Sequence, residues 1–598
     1  MTDQVSSPLD AATAADRRVS VDELSSSGGA LWWLQSDPEL GGVNRLMRWT
    51  AASGALPQTP PTLPVGGWLH AYGEGNYTVD QYGIWVISAE DSKIHYLDPA
   101  TSRSHLVTQE DDCQYGDLHA ADGRILAVRG TDDEDEIVEI HPQHRTVRIL
   151  ARSPGFLAAP RLHRRSLAYL EWDADRMPWD SSRLLLTDYD HHGDGELSPG
   201  KTIAGGPEES VVQPSWDSGG RLHFLSDRTG WWNLYRWQHG APQPLAPMGR
   251  DCAPAPWEGG YQSYAFLLGG RIAMTVHHGL RISLVVLESD GRSTQPAADV
   301  TSVKPYLAVH GEQLAAISST PVTAPTVALF DITTLAPAHL LAAPGQSPAA
   351  VTAPQCSTLE RAGEQIHYLL HRPWSPPGEP VPLLVRAHPG PTDDVPQRLD
   401  WTVQFFTSRG YAVAEVAYRG STGQGRAFRQ ALHGHWGDFD VEDCADVARQ
   451  LVADGISDPR AIFLSGASAG GYTALQAACR PDAPFTAVTA TSAIIDPVRW
   501  TTTAPRFQRP HAAILAGPAG PVRAGEIRVP VLLIHGTADA VAPVRDAYAL
   551  ANALTARSAD HQSLFLDDVG HYLSAPSNLR QALEAETAFY TRFTGQTR

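Results

Sequence analysis

The stretch Ala461-Ile-Phe-Leu-Ser-Gly-Ala-Ser468-Ala-Gly-Gly-Tyr-Thr-Ala-Leu-Gln-Ala-Ala-Cys479 decides the fold. It reads as a short apolar strand, a turn of small residues and an apolar helix, with G-x-S-x-G at the turn. Small residues flank Ser468 because larger side chains there would collide with the neighbouring strand and helix. The pattern predicts a nucleophilic serine at the carboxyl edge of a sheet, beside a helix amino terminus.

Strands and helices alternate on both sides of this stretch. This alternation is typical of βαβ units, and it predicts a mostly parallel, doubly wound sheet of the α/β-hydrolase type over residues 353–598. The predicted strands are Val381–Ala387, Tyr411–Val416, Ala461–Ser465, Thr486–Ala490, Pro530–Ile534 and Ser563–Asp567. The predicted helices are Val441–Asp454, Ala469–Arg480, Val544–Ala556 and Asn578–Thr594.

Two later loops supply the groups that activate a serine hydroxyl. The apolar run Val531–Ile534 leads to Asp539, and the run Ser563–Asp567 leads to His571. The order Ser, Asp, His along the chain is that of α/β-hydrolases. We therefore predict Ser468 as the nucleophile, Asp539 as the orienting acid and His571 as the general base.

Alternatives to this assignment lie close by. His535 follows its strand directly and could serve as the base in place of His571, although bracing the Asp539 loop is the simpler role. Asp567 and Asp568 could form local salt bridges.

Acyl transfer also needs donors for the oxyanion. The backbone N–H of Ala469, directly after the nucleophile, is one candidate. The other lies in His388-Pro-Gly-Pro391, the loop after the strand Val381–Ala387. Pro389 has no N–H, so Gly390 is the predicted donor.

The amino-terminal part repeats a unit of two short apolar strands joined by a polar turn. The first strands of successive units start roughly 40 to 54 residues apart, which is the period of four-stranded propeller blades. We predict a seven-bladed β-propeller over residues 29–352, preceded by an extension over 1–28 that could pack on the hydrolase domain. A pair of β-sandwiches is the alternative. The seven predicted strand pairs are 31–34 with 44–49, 84–88 with 94–98, 124–129 with 136–140, 167–172 with 183–188, 221–226 with 232–237, 271–276 with 281–287, and 313–318 with 326–331.

Composition excludes several classes of function. The net charge of -20 argues against nucleic acid or anionic membrane partners, which both need a basic face. No lysine follows Lys304, which excludes a catalytic lysine in the carboxy-terminal half. The five cysteines form no C-x-x-C pair, so we expect no disulfide framework, metal or cofactor. No signal peptide or long apolar run occurs, and we expect a cytoplasmic protein.

Longer strings along the chain carry a family resemblance. In the carboxy-terminal part they are Tyr418-Arg-Gly-Ser-Thr-Gly-Gln-Gly425, His435-Trp-Gly437, Ser468-Ala-Gly-Gly-Tyr472 and His535-Gly-Thr-Ala-Asp539. In the amino-terminal part they are Arg176-Met-Pro-Trp-Asp180, Gly205-Gly-Pro-Glu-Glu-Ser210 and Ser226-Asp-Arg-Thr-Gly-Trp-Trp-Asn-Leu-Tyr-Arg236. Together they resemble the prolyl oligopeptidase family, in its acylaminoacyl-peptidase and aminopeptidase branch, over nearly the whole chain. The resemblance implies a propeller that caps the active site and restricts it to short peptides or small amides.

The chain departs from the family pattern in three places. The family's His-Gly-Gly-Pro is here His388-Pro-Gly-Pro391, and its Gly-His-Gly-Phe is here Gly570-His-Tyr-Leu573. The segment 494–528, which helps shape the specificity pocket in the family, is short and rich in Ala and Pro. The last difference bears on substrate preference more than on activity.

Substrate-binding residues are predicted from the same resemblance. Glu208 and Glu209 are the candidates for holding a free α-amine, with a solvated acidic loop as the alternative reading. Tyr472 and Trp500 are further candidates. Trp500 and Phe507 lie in the pocket-shaping segment, where ordinary core packing is the alternative.

The predicted function is that of a serine peptidase acting on short peptides, as an aminopeptidase or acylaminoacyl peptidase. An amide hydrolase or esterase acting on a small metabolite is the first alternative. A propeller interaction protein without activity is the second, against which the complete set of Ser468, Asp539 and His571 argues. The expected partner is a short peptide or small amide, and a homo-oligomer stays open.

Overall fold

A computed structural model describes residues 7–594 of the chain, except 74, 99–100, 102, 109–111, 122, 142–144, 295–299, 342–350, 352, 362 and 375–378. In the amino-terminal part of these residues the strands form seven antiparallel sheets. No helix in the described part of the chain combines the length and the apolar character needed to cross a bilayer.

The seven sheets are the blades of a propeller, numbered 1 to 7 along the chain. Blades 1 to 4 comprise β1 Val21–Ser27, β2 Ala30–Asp37, β3 Val43–Thr50, β4 Gly54–Pro57; β5 Tyr77–Asp80, β6 Gly83–Ile87, β7 Ile94–Leu97, β8 Ser104–Leu106; β9 Gln114–Ala121, β10 Arg124–Gly130, β11 Asp135–His141, β12 Thr146–Ser153; β13 Phe156–His163, β14 Ser166–Trp172, β15 Ser182–Asp188, β16 Lys201–Gly206. Blades 5 to 7 comprise β17 Val211–Trp216, β18 Leu222–Ser226, β19 Asn233–Gln238, β20 Ala241–Pro244; β21 Tyr264–Phe266, β22 Ile272–His278, β23 Arg281–Leu287, β24 Ser293–Thr294; β25 Ser302–Val303, β26 Ala308–His310, β27 Gln313–Thr320, β28 Thr323–Asp331, β29 Pro337–Leu340.

The seven strand pairs predicted from the sequence are the central pairs of these blades, and all are hydrogen-bonded as antiparallel neighbours. Adjacent blades cover both faces of most central strands, which are therefore largely apolar, as in Gly83–Ile87, where every residue is buried. The seven-bladed propeller is therefore confirmed.

The carboxy-terminal part contains one mixed sheet of eight strands in the order β30-β31-β33-β32-β34-β35-β36-β37. The first two strands of that order pair antiparallel, and the rest of the sheet from β33 onward is parallel. The mostly parallel α/β sheet is confirmed. The strands are β30 Gln355–Arg361, β31 Glu364–His371, β32 Val381–Ala387, β33 Ala412–Ala417, β34 Ser457–Ala467, β35 Ala487–Thr491, β36 Val531–Gly536 and β37 His561–Leu566.

Helices cover both faces of this sheet. Successive residues of β32 point to opposite faces, so Leu383 and Val385 belong to one apolar core and Leu384 to the other. The helices are α1 Ala11–Asp16, α2 Trp401–Thr407, α3 Gly425–Gln430, α4 Phe439–Ala453, α5 Ala469–Cys479, α6 Pro497–Thr503, α7 Gln508–Leu515, α8 Val544–Ala556 and α9 Pro576–Thr591. Short 3₁₀ turns lie at Pro38–Leu40, Leu69–Ala71, Leu268–Gly270 and Ala524–Glu526.

The amino-terminal segment belongs to both parts of the molecule. Helix α1 joins the apolar core formed by α2 and α9, and the N–H of Leu9 donates to Ser408 Oγ at 3.0 Å. Strand β1 then pairs with β2 in blade 1, so the propeller strands start before the predicted position 29. Strand β1 is polar on its outer side, so its sequence carries no strand pattern. The predicted boundary at 352 lies outside the described residues.

Buried ion pairs join the propeller to the hydrolase sheet. The carboxylate of Asp227, in blade 5, accepts from Arg426 at 2.8 Å and from Arg429 at 2.7 Å. The side chains of Asp227 and Arg429 are fully buried, and the Arg429 guanidinium lies 3.9 Å from the centroid of the Trp232 ring. A second pair joins Arg506 to the buried carboxylate of Asp135 at 2.6 Å. These contacts hold the propeller over the edge of the sheet.

We expect Asp227→Asn to lower the free energy of unfolding by about 3–5 kcal/mol, because it removes the buried carboxylate that pairs with both guanidiniums. The urea midpoint of the purified protein measures this change. Asp290→Asn is the matched control, since its pair with Arg292 is exposed and such pairs stabilise little. Equal midpoints for the two variants would contradict the role given to Asp227.

Candidate active site

The turn at Ser468 joins β34 directly to α5. Its φ is 53° and its ψ is −113°, a backbone conformation that residues other than glycine rarely adopt. The N–H of Ser468 donates to the carbonyl of Thr491 at 2.9 Å, which ties the turn to the neighbouring strand. The turn therefore holds the half-buried Ser468 at the carboxyl end of β34.

Glycines make this turn sterically feasible. A Cβ on Gly466 would overlap the carbonyl of Gly470, and a Cβ on Gly470 would overlap the carbonyl of Ala387 on β32. A Cβ on Gly471 would lie 2.7 Å from the Cβ of Ala493. Helix α5 thus packs against the sheet by backbone contact.

Asp539 and His571 lie in the loops after β36 and β37. The Nδ1 of His571 lies 2.8 Å from Asp539 Oδ2. The other oxygen, Oδ1, accepts from the N–H groups of Val541 at 2.9 Å and Ala542 at 2.8 Å, which fixes the carboxylate. The Asp539 side chain is fully buried, so its charge is directed at the imidazole.

His535 lies on the other side of the same carboxylate. Its Nε2 is 3.0 Å from the carbonyl of Ala542 and 3.4 Å from Asp539 Oδ2. Burial lowers the pKa of His535 against the opposing effects of these partners. This geometry suits a brace for the Asp539 loop.

The loop after β32 carries the predicted second oxyanion donor. Gly390 has a φ of 116°, and it lines the same cavity as Ser468. His388 stacks on Tyr418 with ring centroids 4.1 Å apart, and its Nε2 lies 2.7 Å from Ser421 Oγ. Burial lowers the pKa of His388 to about 4, so this imidazole is neutral and serves to hold the loop.

A cavity of about 540 Å³ connects these groups. The cavity is lined by Ser468, His571 and Gly390, and also by the residues that directly precede Ser468 in the chain. The propeller contributes four residues to its wall: Tyr72, Trp257, Glu258 and Tyr261. Such a volume is typical of small-molecule sites.

Of the four predicted substrate-binding residues, one lines the cavity and three do not. Trp500 lines the cavity, and its indole N–H donates to the carbonyl of Val541 at 2.8 Å. Glu208 and Glu209 do not line it, since Glu208 is exposed and Glu209 pairs with Arg228 at 2.7 Å. Tyr472 is fully buried in the core and donates to the carbonyl of Gly520 at 2.7 Å.

Sequence reasoning missed all six acidic residues that line the cavity, which are Glu258, Asp393, Asp394, Asp400, Glu415 and Glu586. Asp393 and Asp394 follow the Gly390 loop, and Glu258 comes from the loop between blades 5 and 6. The N–H of Asp394 donates to Asp393 Oδ1 at 2.9 Å. Burial, followed by the neighbouring Asp394, raises the pKa of Asp393 above its ordinary range. Glu258 lies in a Pro- and Gly-rich loop that carries no recognisable motif.

Metal ligation finds no support in the part of the chain that the structure describes. No group of three or more His, Cys, Asp and Glu side chains there is arranged to hold an ion.

We expect Gly470→Ala to abolish most of the labelling of Ser468 by a fluorophosphonate, because the added methyl group must displace α5 from β32. Gly525→Ala is the control, since its Cβ would meet no atom within 4 Å. Labelling rates of the two folded variants, each checked by circular dichroism, provide the measurement. Normal labelling of Gly470→Ala would show that the backbone contact is dispensable.

A profile of the prolyl oligopeptidase family matches residues 397–597. A dipeptidyl aminopeptidase BIII from Pseudoxanthomonas mexicana is 28% identical over 219 residues, which are 33% of this chain and 31% of that protein. The match to this curated relative thus spans about a third of its length.

Solved structures match over almost the whole chain. A puromycin hydrolase is 29% identical with a TM-score of 0.93, covering 99% of this chain and 97% of that one. A puromycin-hydrolyzing peptidase from Mycobacterium tuberculosis is 27% identical with a TM-score of 0.92 and the same coverage. The family profile over residues 397–597 and the structural matches over almost the whole chain lead to one conclusion: the chain belongs to the prolyl oligopeptidase family of serine hydrolases.

Proposed function

We propose that the chain is a serine aminopeptidase that releases an amino-terminal residue from short peptides and small aminoacyl amides. The observation that carries the proposal is one cavity lined both by Ser468 and His571 and by Glu258, Asp393 and Asp394. The propeller covers this cavity, which favours short substrates over folded proteins.

The proposed reaction is acyl transfer in two halves. His571, oriented by Asp539 through Nδ1, takes the proton of Ser468 while the serine oxygen attacks the carbonyl carbon. The N–H groups of Gly390 and Ala469 stabilise the oxyanion. His571 then protonates the leaving nitrogen, the amide C–N bond breaks, and water repeats the sequence on the acyl-enzyme.

The acidic side of the cavity is suited to a free α-ammonium group. A cation that leaves water must be paired with an anion, and three carboxyl groups line this side. Glu258 is held by Tyr306, whose hydroxyl lies 3.4 Å from Oε2. Glu258, Asp393 and Asp394 take the role first given to Glu208 and Glu209. A free α-ammonium group brings a cation to this acidic side and an N-acylated terminus does not, so we favour the aminopeptidase over the acylaminoacyl peptidase.

The similarity to puromycin hydrolases supports the same substrate class. Puromycin carries an aminoacyl group with a free amine, bound through an amide to an aminonucleoside. The alternative of an amide hydrolase acting on a small metabolite therefore stays close to the main proposal. Both require the same acyl group and differ in the leaving amine.

We expect Ser468→Ala to reduce turnover of an unblocked aminoacyl arylamide by roughly three or more powers of ten, because it removes the nucleophile. Ser293→Ala, an exposed position in blade 6, should retain the wild-type rate. Release of the arylamine by the two purified variants measures the effect. Near-normal turnover of Ser468→Ala would remove the nucleophile assignment.

We expect Glu258→Gln to raise KM for unblocked aminoacyl arylamides about tenfold or more, because a charge-assisted contact to the ammonium is lost. Steady-state kinetics with unblocked and N-acetylated substrates measure the change. Glu208→Gln is the control and should leave KM unaltered.

The unblocked and N-acetylated substrates also test how KM depends on pH. The raised pKa of Asp393 means that its carboxyl group is partly protonated at mildly acidic pH. The pKa of Asp393 is raised to about 7, so KM for the unblocked substrate should fall as the pH rises through about 7, where the carboxylate forms. A preference for N-acetylated substrates at all pH values would contradict the assignment of the acidic side.

A further inference from the structure

A loop of the propeller, residues 251–257 between β20 and β21, forms hydrogen bonds with the α/β part of the chain. The carboxylate of Asp251 is fully buried and accepts from the N–H of Gly425 at 2.8 Å. The N–H of Ala255 donates to Thr422 Oγ1 at 2.9 Å, and this bond is buried as well. We refer to residues 251–257 as the docking loop, since these bonds join the propeller to the α/β part.

The end of the docking loop reaches the loop that carries Gly390. The indole N–H of Trp257 donates to the carbonyl of Thr392 at 2.6 Å, and Thr392 is itself buried. The N–H of Thr422, the residue that Ala255 contacts, donates to the carbonyl of Asp393 at 3.0 Å. The docking loop therefore holds Thr392 directly and Asp393 through one intermediate residue.

Gly390 and Thr392 belong to one tight turn. A Cβ on Gly390 would lie 2.9 Å from the backbone nitrogen of Thr392 and 3.0 Å from the Cβ of Asp393. The φ of Gly390 is 116°, a conformation that side chains other than hydrogen rarely permit. Because the turn is this close-packed, a shift of Thr392 changes the position of the Gly390 N–H, which is the proposed second oxyanion donor.

Aromatic contacts fix the direction of the Trp257 indole. Its ring centroid lies 4.5 Å from that of Trp179 and 5.4 Å from that of Tyr72, both in the propeller. The ring of His511, on α7, packs edge-on at 5.5 Å. Burial lowers the pKa of His511 to about 3, so this imidazole is neutral and packs as an aromatic ring. An indole held by three rings points its N–H in one direction.

Trp257 is followed directly by Glu258, the proposed partner of the substrate's α-ammonium group. Both residues line the cavity together with Ser468. Two successive residues of the propeller thus provide a carboxyl group for the substrate and a hydrogen bond to the oxyanion loop. A donor lowers the barrier only if it is in place when negative charge develops on the carbonyl oxygen, so the position of this loop matters for the rate.

We infer that Trp257 is a positioning residue for the oxyanion site: its bond to Thr392 holds Gly390 where the Gly390 N–H meets the oxyanion. The propeller then contributes to the catalytic step in addition to covering the cavity. This inference rests on the proposed role of Gly390 as an oxyanion donor. In this role Trp257 exchanges no proton with the substrate and acts only through Thr392.

Removal of the indole N–H tests the inference. Trp257→Phe removes the donor, and benzothienylalanine at position 257 replaces the N–H by sulfur while the fused ring keeps its shape. We expect both changes to lower kcat for an unblocked aminoacyl arylamide by about tenfold or more, with KM changed by less than about twofold. Trp216→Phe is the matched control, because its indole N–H donates to the carbonyl of Arg161 at 2.9 Å outside the cavity.

Inhibitor affinities separate positioning from packing. An aminoacyl aldehyde accepts the oxygen of Ser468 at its carbonyl carbon, so its own oxygen occupies the oxyanion site. The corresponding alkylamine has the same ammonium group and side chain but no carbonyl. Loss of the Trp257 N–H should weaken the aldehyde by the factor found for kcat/KM and leave the alkylamine unaffected. Equal weakening of both inhibitors would make Trp257 a part of the cavity wall only and would overturn the inference.

The outcome for Trp257 is distinguishable from the outcome for the proposed function. If the two changes at position 257 match Trp216→Phe in kcat and in aldehyde affinity, the inference is overturned and the aminopeptidase proposal stands. If wild-type protein cleaves no unblocked arylamide, the aminopeptidase proposal fails, and the rate of fluorophosphonate labelling of Ser468 decides on Trp257. Labelling about fivefold slower than in Trp216→Phe supports the positioning role, because the phosphonyl oxygen uses the same donors, and equal rates overturn it.

Discussion

Backbone contact between α5 and the sheet is the constraint on which the rest of the site depends. Gly466, Gly470 and Gly471 allow the helix to begin one residue after Ser468, with no side chain between it and β32 or the segment after β35. The hydroxyl-bearing residue is thereby placed at the same edge as the loops that follow β36 and β37. Parallel strands deliver their carboxyl ends to one edge, so Asp539 and His571 meet there although 32 positions separate them in sequence.

The propeller and the α/β part both contribute residues to the wall of the cavity. The buried pairs of Asp227 with Arg429 and of Asp135 with Arg506 fix how blades 3 to 5 lie over the sheet. Tyr72 and Glu258 reach the cavity only because of that placement. Substrate selection and domain packing are therefore coupled, and a change at the interface alters both.

Much of the fold could be predicted from the sequence because its strongest signals are local. Central blade strands and parallel strands are apolar on both faces, whereas outer strands such as Gly54–Pro57 and Ser104–Leu106 are short and exposed and give no pattern. Helices α6 and α7 were missed because Thr, Pro and Arg obscure their apolar faces. The order of the motifs along the chain identified Ser468, Asp539 and His571. Each follows a parallel strand, and such loops all lie at the carboxyl edge of the sheet.

Other features depend on tertiary placement, which no local pattern reveals. Glu208 and Glu209 sit in a family-like string, yet the loop turns Glu209 towards Arg228. Tyr472 ends the nucleophile motif but points into the core. Arg18 and Arg398 lie far apart in the sequence and line the same cavity only after folding.

The path of the amino-terminal segment limits how the two units can separate. Helix α1 is anchored on α2 and α9, and the chain then enters blade 1 at Val21. The chain crosses between the units a second time, between Leu340 and Gln355. The link between α1 and β1 is only a few residues long, so any separation of the two units should widen the cavity least at the rim nearest to this link.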